Sequence, residues 1–305
     1  MASLYRDIQK IDGVKVGANM LLAPFTSFKI GGAAELFVQP LTISGLERLL
    51  ELLVKKSEPY KVLGCGTNLL IDDNGLGVVI SLDCLKETPQ ILTRLSDSTY
   101  LIQVGAGMKL QSLLAWALKH SFVGLEPLAG IPASVGGAVF MNAGANQISM
   151  QDIVEEILVV GPGGSQWLSA KDMGFGYRTS GLSRDSIVAK AKLRLKKGNA
   201  SESLKRIKQI MKKRRSSQPL TKANAGCIFK NPQNISAGAL IEQCGLKGVR
   251  IGEAEVSPVH ANFIVNLGRA TTIQVLELMD LIQTEVKQQA NINLEPEIHI
   301  WTERA

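Results

Sequence analysis

Aromatic side chains are scarce in this chain of 305 residues, at 5 % of the total. Stacking on single-stranded nucleic acid needs aromatics interleaved with basic residues, so that class of binding gets no support. Histidine is scarcer still: His120, His260 and His299 lie far apart, and none stands at metal-ligand spacing, so no metal site is expected. The 4 cysteines, Cys65, Cys84, Cys227 and Cys244, share no C-x-x-C spacing, and in a chain this large free thiols are the expectation. No apolar run reaches the roughly twenty residues of a membrane span. The opening "MASLYRDIQKIDGVKVG" lacks a basic segment followed by an apolar one, so no secretory signal is expected and the location should be cytoplasmic.

What is present describes a globular protein. Apolar residues make up 45 % and the mean hydropathy is +0.11, enough for two or three domains with cores of their own. The net charge of +7 is uneven. Residues 190–215 hold 12 bases and 1 acid, Glu202, a local +11 that leaves −4 for the rest of the chain. Such a cluster is either a solvated helix and strand edge or an attractor of polyanions. With aromatics so few, small molecules carrying several phosphates suit it better than nucleic acid.

Periodicity sets out three segments, 1–81, 82–198 and 199–305. In the first, "AELFVQP" reads as a strand and "ISGLERLLELLVKK" as a helix with one apolar face; "YKVLGCGTNLLI" is a strand broken by a turn. In the second, "YLIQVGAG" is a strand and "KLQSLLAWALKH" a helix. "IVEEILVVGPGGSQWLS" follows as a hairpin on a Pro-Gly-Gly turn, and "SIVAKAKLRLKKG" alternates as a strand. In the third, Ser201 is a candidate cap for the helix "NASESLKRIKQIMKKRR". "GALIEQCG" is a short helix and "ANFIVNLG" a strand. Thr271 or Thr272 caps "IQVLELMDLIQTEVKQQA", and "LEPEIHIW" closes as a strand. Strands and helices in runs rather than strict alternation give an α+β fold class.

Several stretches could carry chemistry. "LAGIPASVGGAVFMNAGA" (residues 128–145) holds 9 Gly or Ala in 18 residues and no charge. Backbone stripped of side chains can approach a ligand closely with its amides, or simply pack tightly. "GCGTNLL" (residues 64–70) pairs two glycines with Thr67 and Asn68, a turn whose N–H groups can nest phosphate oxygens, although it is neither a P-loop nor G-x-G-x-x-G. Two such loops could clasp a diphosphate, with Ser134 and Asn142 as polar groups. "GFGYRTS" offers Tyr177 and Arg178, and arginine can hold a carboxylate or phosphate through two parallel hydrogen bonds. "AGCIFKNP" carries Cys227, Lys230 and Asn231, and the period of two in "LEPEIHIW" puts Glu295, Glu297, His299 and Trp301 on one side. A turn, a surface arginine, an inert cysteine and a solvated strand face explain each equally well alone.

In this order, from "TSFKIGGAAELFV" at Thr26 to "LEPEI", the set resembles the UDP-N-acetylenolpyruvoylglucosamine reductase (UDP-N-acetylmuramate dehydrogenase) family, in its shorter subclass, over nearly the whole chain. The resemblance implies a two-part FAD-binding domain of the PCMH/vanillyl-alcohol-oxidase type (1–81 and 82–198) and a C-terminal α+β substrate-binding domain (199–305). It implies an FAD shell of Gly64, Gly66, Thr67, Asn68, Ile131, Pro132, Ser134, Gly136, Gly137, Gly144 and Ala145. NADPH would be the hydride donor. A UDP-linked enolpyruvyl amino sugar would be the substrate, reduced to UDP-N-acetylmuramate for cell-wall synthesis.

By the same resemblance Arg178 and Glu297 stabilise an enolate-like species, groups of a kind commonly worth ~3–4 kcal/mol each. Glu297 then has to be protonated or bridged by a hydrogen bond, since a bare carboxylate would repel the developing charge. Cys227 stands where the family usually has serine and would protonate C2. A free thiol, with a pKa of about 8.5, donates a proton more readily than an alcohol. Tyr177, Arg215, Lys230 and Asn231 would touch substrate. A monomer without nucleic-acid or membrane partners is expected. An alcohol or hydroxy-acid oxidase of the same superfamily, or a basic nucleic-acid-binding protein, are the alternatives.

Overall fold

A computed structural model describes residues 1–145, 147–183, 185–233 and 235–302. The chain divides into two compact units, each discontinuous. One contains Met1–Ala18, Leu36–Cys65 and Val78–Lys212; the other contains Asn19–Glu35, Gly66–Gly77 and the chain from Lys213 on.

The first unit is built on two sheets. In the smaller the strand order is Val14–Leu21, Ala33–Pro40, Leu76–Ser81, Tyr60–Leu63. The helix Ile43–Lys55 buries Leu46, Leu49, Leu50 and Leu53, the i, i+3, i+4, i+7 stripe of a single face. Fully burying a leucine contributes roughly 1.5–3 kcal/mol, so this stripe is the main attachment of the helix. Thr42 starts it, its hydroxyl accepting from Gly45 N–H at 3.0 Å. The larger sheet runs Gly164–Ser169, Val154–Gly161, Ile187–Lys197, Thr99–Gly105, Gln90–Arg94. Its predicted hairpin is present, closing at Gly161 opposite Gly164.

Alternation in Val154–Gly161 sends Ile157 and Val159 into one core and Leu158 and Val160 into another. The first core is closed by helices Leu110–Lys119 and Val135–Phe140, the second by Ile43–Lys55. The neighbouring strand Ile187–Lys197 does the same with one irregularity. Leu158 faces Lys190 while Val159 faces Val188, so Ala189 is an extra residue. Ile187 and Ala189 therefore join the second core, whereas Ala191, Leu193 and Leu195 join the first. The bulge also turns Lys190, Lys192 and Arg194 outward. Lys190 pairs with Glu87 at 2.7 Å, Lys192 with Glu156, and Arg194 with Glu155 at 3.2 Å. Three of the cluster's 12 bases are thus neutralised by facing acids instead of waiting for a polyanion.

The second unit packs helix Thr272–Ala290 and the short helix Ala237–Gln243 around a core holding Phe28, Phe229, Ile228, Val275, Leu278 and Ile282. Its four-stranded sheet has the order Ala223–Asn224, Ile264–Asn266, Ala254–Val256, Arg250–Ile251. Thr271 and Gln274 form a reciprocal cap on the long helix. A parallel pair joins Leu69–Ile71 to His299–Trp301.

Three local expectations need correction. The helix Ala200–Ser217 is capped by Asn199, whose Oδ1 accepts from Ser201 N–H at 2.9 Å and Glu202 N–H at 3.3 Å, and not by Ser201. The uncharged run is not bare loop throughout, because Val135–Phe140 is helical. "LEPEIHIW" is a strand only over His299–Trp301. Pro296 makes an isolated bridge with Phe229, Leu294 and Ile298 are buried, and Pro296 is exposed, so the period of two fails there. The four cysteines are free thiols. No helix among the described residues is long and apolar enough to cross a membrane.

Candidate functional site

In the first unit the uncharged run folds around Ser134. This residue caps the helix Val135–Phe140 by accepting from Gly137 N–H at 3.2 Å. The amides of Val135 and Gly136 donate to Met108 O at 2.8 Å and Ala106 O at 2.9 Å. A Cβ at Gly136 would lie 2.7 Å from the Ala106 methyl and 3.2 Å from Val188 O, so this glycine is required by packing. Among the described residues, the only heavy atom near a new Cβ at Gly64 or Gly137 is Ser134 Oγ, at 2.8 and 3.2 Å. The structure therefore brings Gly64 of the first small-residue loop against Ser134 of the second. Cys65 hydrogen-bonds Ser134 as well; burial pushes its thiol pKa up, against the pull of Lys109 and of that hydrogen bond.

Ile131 is half-buried and Pro132 exposed at the entrance to this turn. Gly144 and Ala145 pair with Ser149 and Ile148. Asn142 is spent on the protein: its Nδ2 donates to Gln151 Oε1 at 3.1 Å and Gly176 O at 2.9 Å, and its Oδ1 accepts from Gln151 N–H. That bond ties the run to the tight loop carrying Tyr177 and Arg178, closed by Gly176 N–H donating to Thr179 O. Arg178 has φ 60, lies over the exposed Tyr177 ring at 5.1 Å, and donates through Nη1 to Gly144 O at 3.3 Å.

In the second unit Gly66 adopts φ +62, and a Cβ there would meet Phe25 O at 2.1 Å. Thr67 is half-buried. Asn68 Nδ2 donates to Glu297 O at 3.2 Å, while Asn68 O accepts from His299 N–H. Cys227 begins an extended segment held on both sides. Ile228 N–H donates to Asn262 O, Phe229 N–H to Asn262 Oδ1, Glu297 N–H to Ile228 O at 2.7 Å, and Lys230 N–H to Glu295 O. Cys227 and Glu297 thus stand on adjoining segments of one unit. Lys230 Nζ pairs with exposed Glu295 at 3.3 Å, and Asn231 Oδ1 accepts from Ala237 N–H.

Arg215 points to solvent. Its neighbour Arg214 turns inward, close enough to Cys227 for the two charges to interact. Burial lowers its pKa, partly offset by Cys227. Arg214 Nε and Gln218 Oε1, one helical turn apart, are buried without hydrogen-bond partners. Sequence reasoning missed both. The signal was available as helix phase, since Ser203, Ile207, Met211, Arg214 and Gln218 fall on one face.

Comparisons with known proteins identify the family. Residues 34–169 match the model of an FAD binding domain, and residues 218–301 match that of the C-terminal domain of UDP-N-acetylenolpyruvoylglucosamine reductase. A protein of that name from Halalkalibacterium halodurans is 38 % identical over 307 residues, covering 100 % of both chains. One from Anoxybacillus flavithermus is 40 % identical over 98 % of this chain and 99 % of its own. The chain belongs to the UDP-N-acetylenolpyruvoylglucosamine reductase family. A solved reductase of this family from Thermus caldophilus superposes with a TM-score of 0.78 at 37 % identity, covering 95 % of this chain and 99 % of its own.

Membership makes the protein a flavin-dependent oxidoreductase with a PCMH-type FAD domain and the family's C-terminal domain. The residues present fit that cofactor. Around Ser134 Oγ the chain carries no side chain at Gly64 or Gly137, where even a methyl would press on the hydroxyl. The main chain there is bared in the way a closely approaching dinucleotide requires.

Proposed function

We propose that the protein catalyses the NADPH-dependent reduction of UDP-N-acetylenolpyruvoylglucosamine to UDP-N-acetylmuramate. The observation that carries this reading is the pairing of both family domains in one chain, at full-length identity, with Cys227 and Glu297 held on adjoining segments. Gly64, Gly66, Thr67, Asn68, Ile131, Pro132, Ser134, Gly136, Gly137, Gly144 and Ala145 hold FAD. Bound there, FAD would supply the hydride chemistry between NADPH and C3 of the enol ether.

The protein's own side chains then manage the charge left behind. Addition at C3 develops negative charge at C2 and in the attached carboxylate. The Arg178 guanidinium, oriented by its bond to Gly144 O, and the Glu297 carboxyl stabilise that charge. The Cys227 thiol gives its proton to C2, which completes the reduced lactyl ether and leaves a thiolate beside the Arg214 guanidinium to be reprotonated from solvent. Tyr177, Lys230 and Asn231 bind the sugar nucleotide, and Arg214 is a better phosphate partner than Arg215. The substrates are cytoplasmic nucleotides, so the protein works there, as a monomer.

Anaerobic mixing tests the whole reading. NADPH should bleach the flavin absorbance, and the enolpyruvyl sugar nucleotide should restore it with one equivalent of product. A protein that reconstitutes with FAD yet is not reoxidised by that substrate refutes the assignment.

A further inference from the structure

Lys109 works against its own helix. It stands in extended backbone immediately before Leu110–Lys119, and its side chain makes no capping hydrogen bond. The first turn that follows holds no acid. A helix start is the electropositive end, where Ser, Thr, Asp, Asn or an acid is favoured and a cation is not. The side chain is exposed, and among the described residues no acid pairs with its ammonium. Natural proteins keep such local conflicts chiefly at functional sites.

The backbone shows which way this charge leaves the chain. Lys109 and Ser134 form an isolated antiparallel bridge, with Leu110 N–H donating to Ala133 O at 2.9 Å and Val135 N–H to Met108 O at 2.8 Å. Those two bonds flank the pair instead of joining it. Lys109 and Ser134 are therefore the close, non-hydrogen-bonded kind, with Cα atoms roughly 4.5 Å apart and side chains on the same side. Ser134 Oγ is the atom that a Cβ at Gly64 or Gly137 would meet. Burial raises the pKa of the Cys65 thiol, which hydrogen-bonds Ser134, and the Lys109 charge opposes that rise. The exposed ammonium is thus within electrostatic reach of the small-residue cluster assigned above to the dinucleotide.

We infer that Lys109 is a cofactor-binding residue whose ammonium pairs with the pyrophosphate of bound FAD. This rests on the FAD assignment above. Each phosphate of that group carries a negative charge, and none of the residues assigned to the FAD shell is charged. Lysine is a compact cation on a flexible stem, so it serves a phosphate as a point charge without a fixed geometry. Partial exposure weakens such a pair, and its loss should cost about five-fold in affinity or more.

The test is FAD affinity of apoprotein, by flavin fluorescence at low salt, beside the melting temperature of the same apoprotein. Lys109→Met keeps the stem and removes the charge. Its dissociation constant should rise about five-fold or more, with an apoprotein melting temperature equal to or above that of wild type. Lys109→Arg should bind FAD within about two-fold of wild type, because the charge is kept. Lys119→Met, at the far end of the same helix, removes an equal charge and should leave affinity unchanged. Added salt should weaken FAD binding more steeply in wild type than in Lys109→Met. Unchanged affinity in Lys109→Met overturns the inference. So does a loss as large in Lys119→Met, which is an effect of net charge, or in Lys109→Arg, which is an effect of shape. Should Lys109→Met fail to fold, Lys109→Gln takes its place with the same expectation. Wild-type apoprotein that binds no FAD refutes the underlying assignment itself, a result distinct from loss in the variant alone.

Discussion

Replacing Gly136 and Gly137 by alanine, one at a time, separates the two reasons for a glycine in the uncharged run. At position 136 the added methyl would sit 2.7 Å from the Ala106 methyl and 3.2 Å from Val188 O, both in fully packed surroundings. Neither neighbour is the end of a flexible side chain, so backbone must move. Overpacking of this kind costs about 1–3 kcal/mol. In a unit of this size each kcal/mol lowers the melting temperature by roughly 2–4 °C. At position 137 the methyl meets only Ser134 Oγ at 3.2 Å. Alanine is also the better helix former by about 0.5–1 kcal/mol, which offsets the slight crowding. Gly136→Ala apoprotein should therefore melt several degrees lower, while Gly137→Ala should melt within about two degrees of wild type. FAD titration should give the opposite ranking, with the larger loss of affinity in Gly137→Ala relative to its stability. Equal melting temperatures for Gly136→Ala and wild type would refute the packing argument. Undiminished FAD affinity in Gly137→Ala would remove that residue from the cofactor shell.

Cys227→Ala should still let NADPH bleach the flavin but should block product formation, whereas Cys227→Ser should turn over; normal catalysis by the alanine variant would exclude the thiol as proton donor. Arg214→Met should raise KM for the sugar nucleotide about ten-fold or more, and Arg215→Met should leave it nearly unchanged. A reversed order would show that the exposed arginine is the binding one. His260 has its pKa lowered by burial and by Lys247, against weaker opposing contributions from a backbone hydrogen bond and Glu242. The unfolded chain thus takes up the proton first, so stability is complete above about 6.5 and falls as pH drops below it. Urea unfolding at pH 7.5 and 5.5 should show that fall in wild type and a smaller one in His260→Gln; identical slopes would exclude His260 as its source.

Much of the fold was legible because local signals and tertiary demands agreed. The leucine stripe of Ile43–Lys55, the Pro-Gly-Gly hairpin and the Thr271 cap are decided within a dozen residues, and each formed as the pattern indicates. The failures have a common cause in information that is not local. "IVAKAKLRLK" reads as uninterrupted alternation, yet Ala189 is a bulge set by its partner strand. Which arginine of the helix Ala200–Ser217 turns inward is set by helix phase against the packed unit, and it is Arg214. Gly64 and Ser134 lie in two separate small-residue motifs, and the fold brings them against each other.

The surplus residue at Ala189 makes one strand serve two hydrophobic interiors. Removing a single residue there would turn the downstream half of the strand over, driving Lys192 and Arg194 inward and setting Leu193 and Leu195 in water. Chain length at this point is therefore under tighter constraint than side-chain identity. A swap for another small residue is survivable, whereas a one-codon deletion should be lethal to folding.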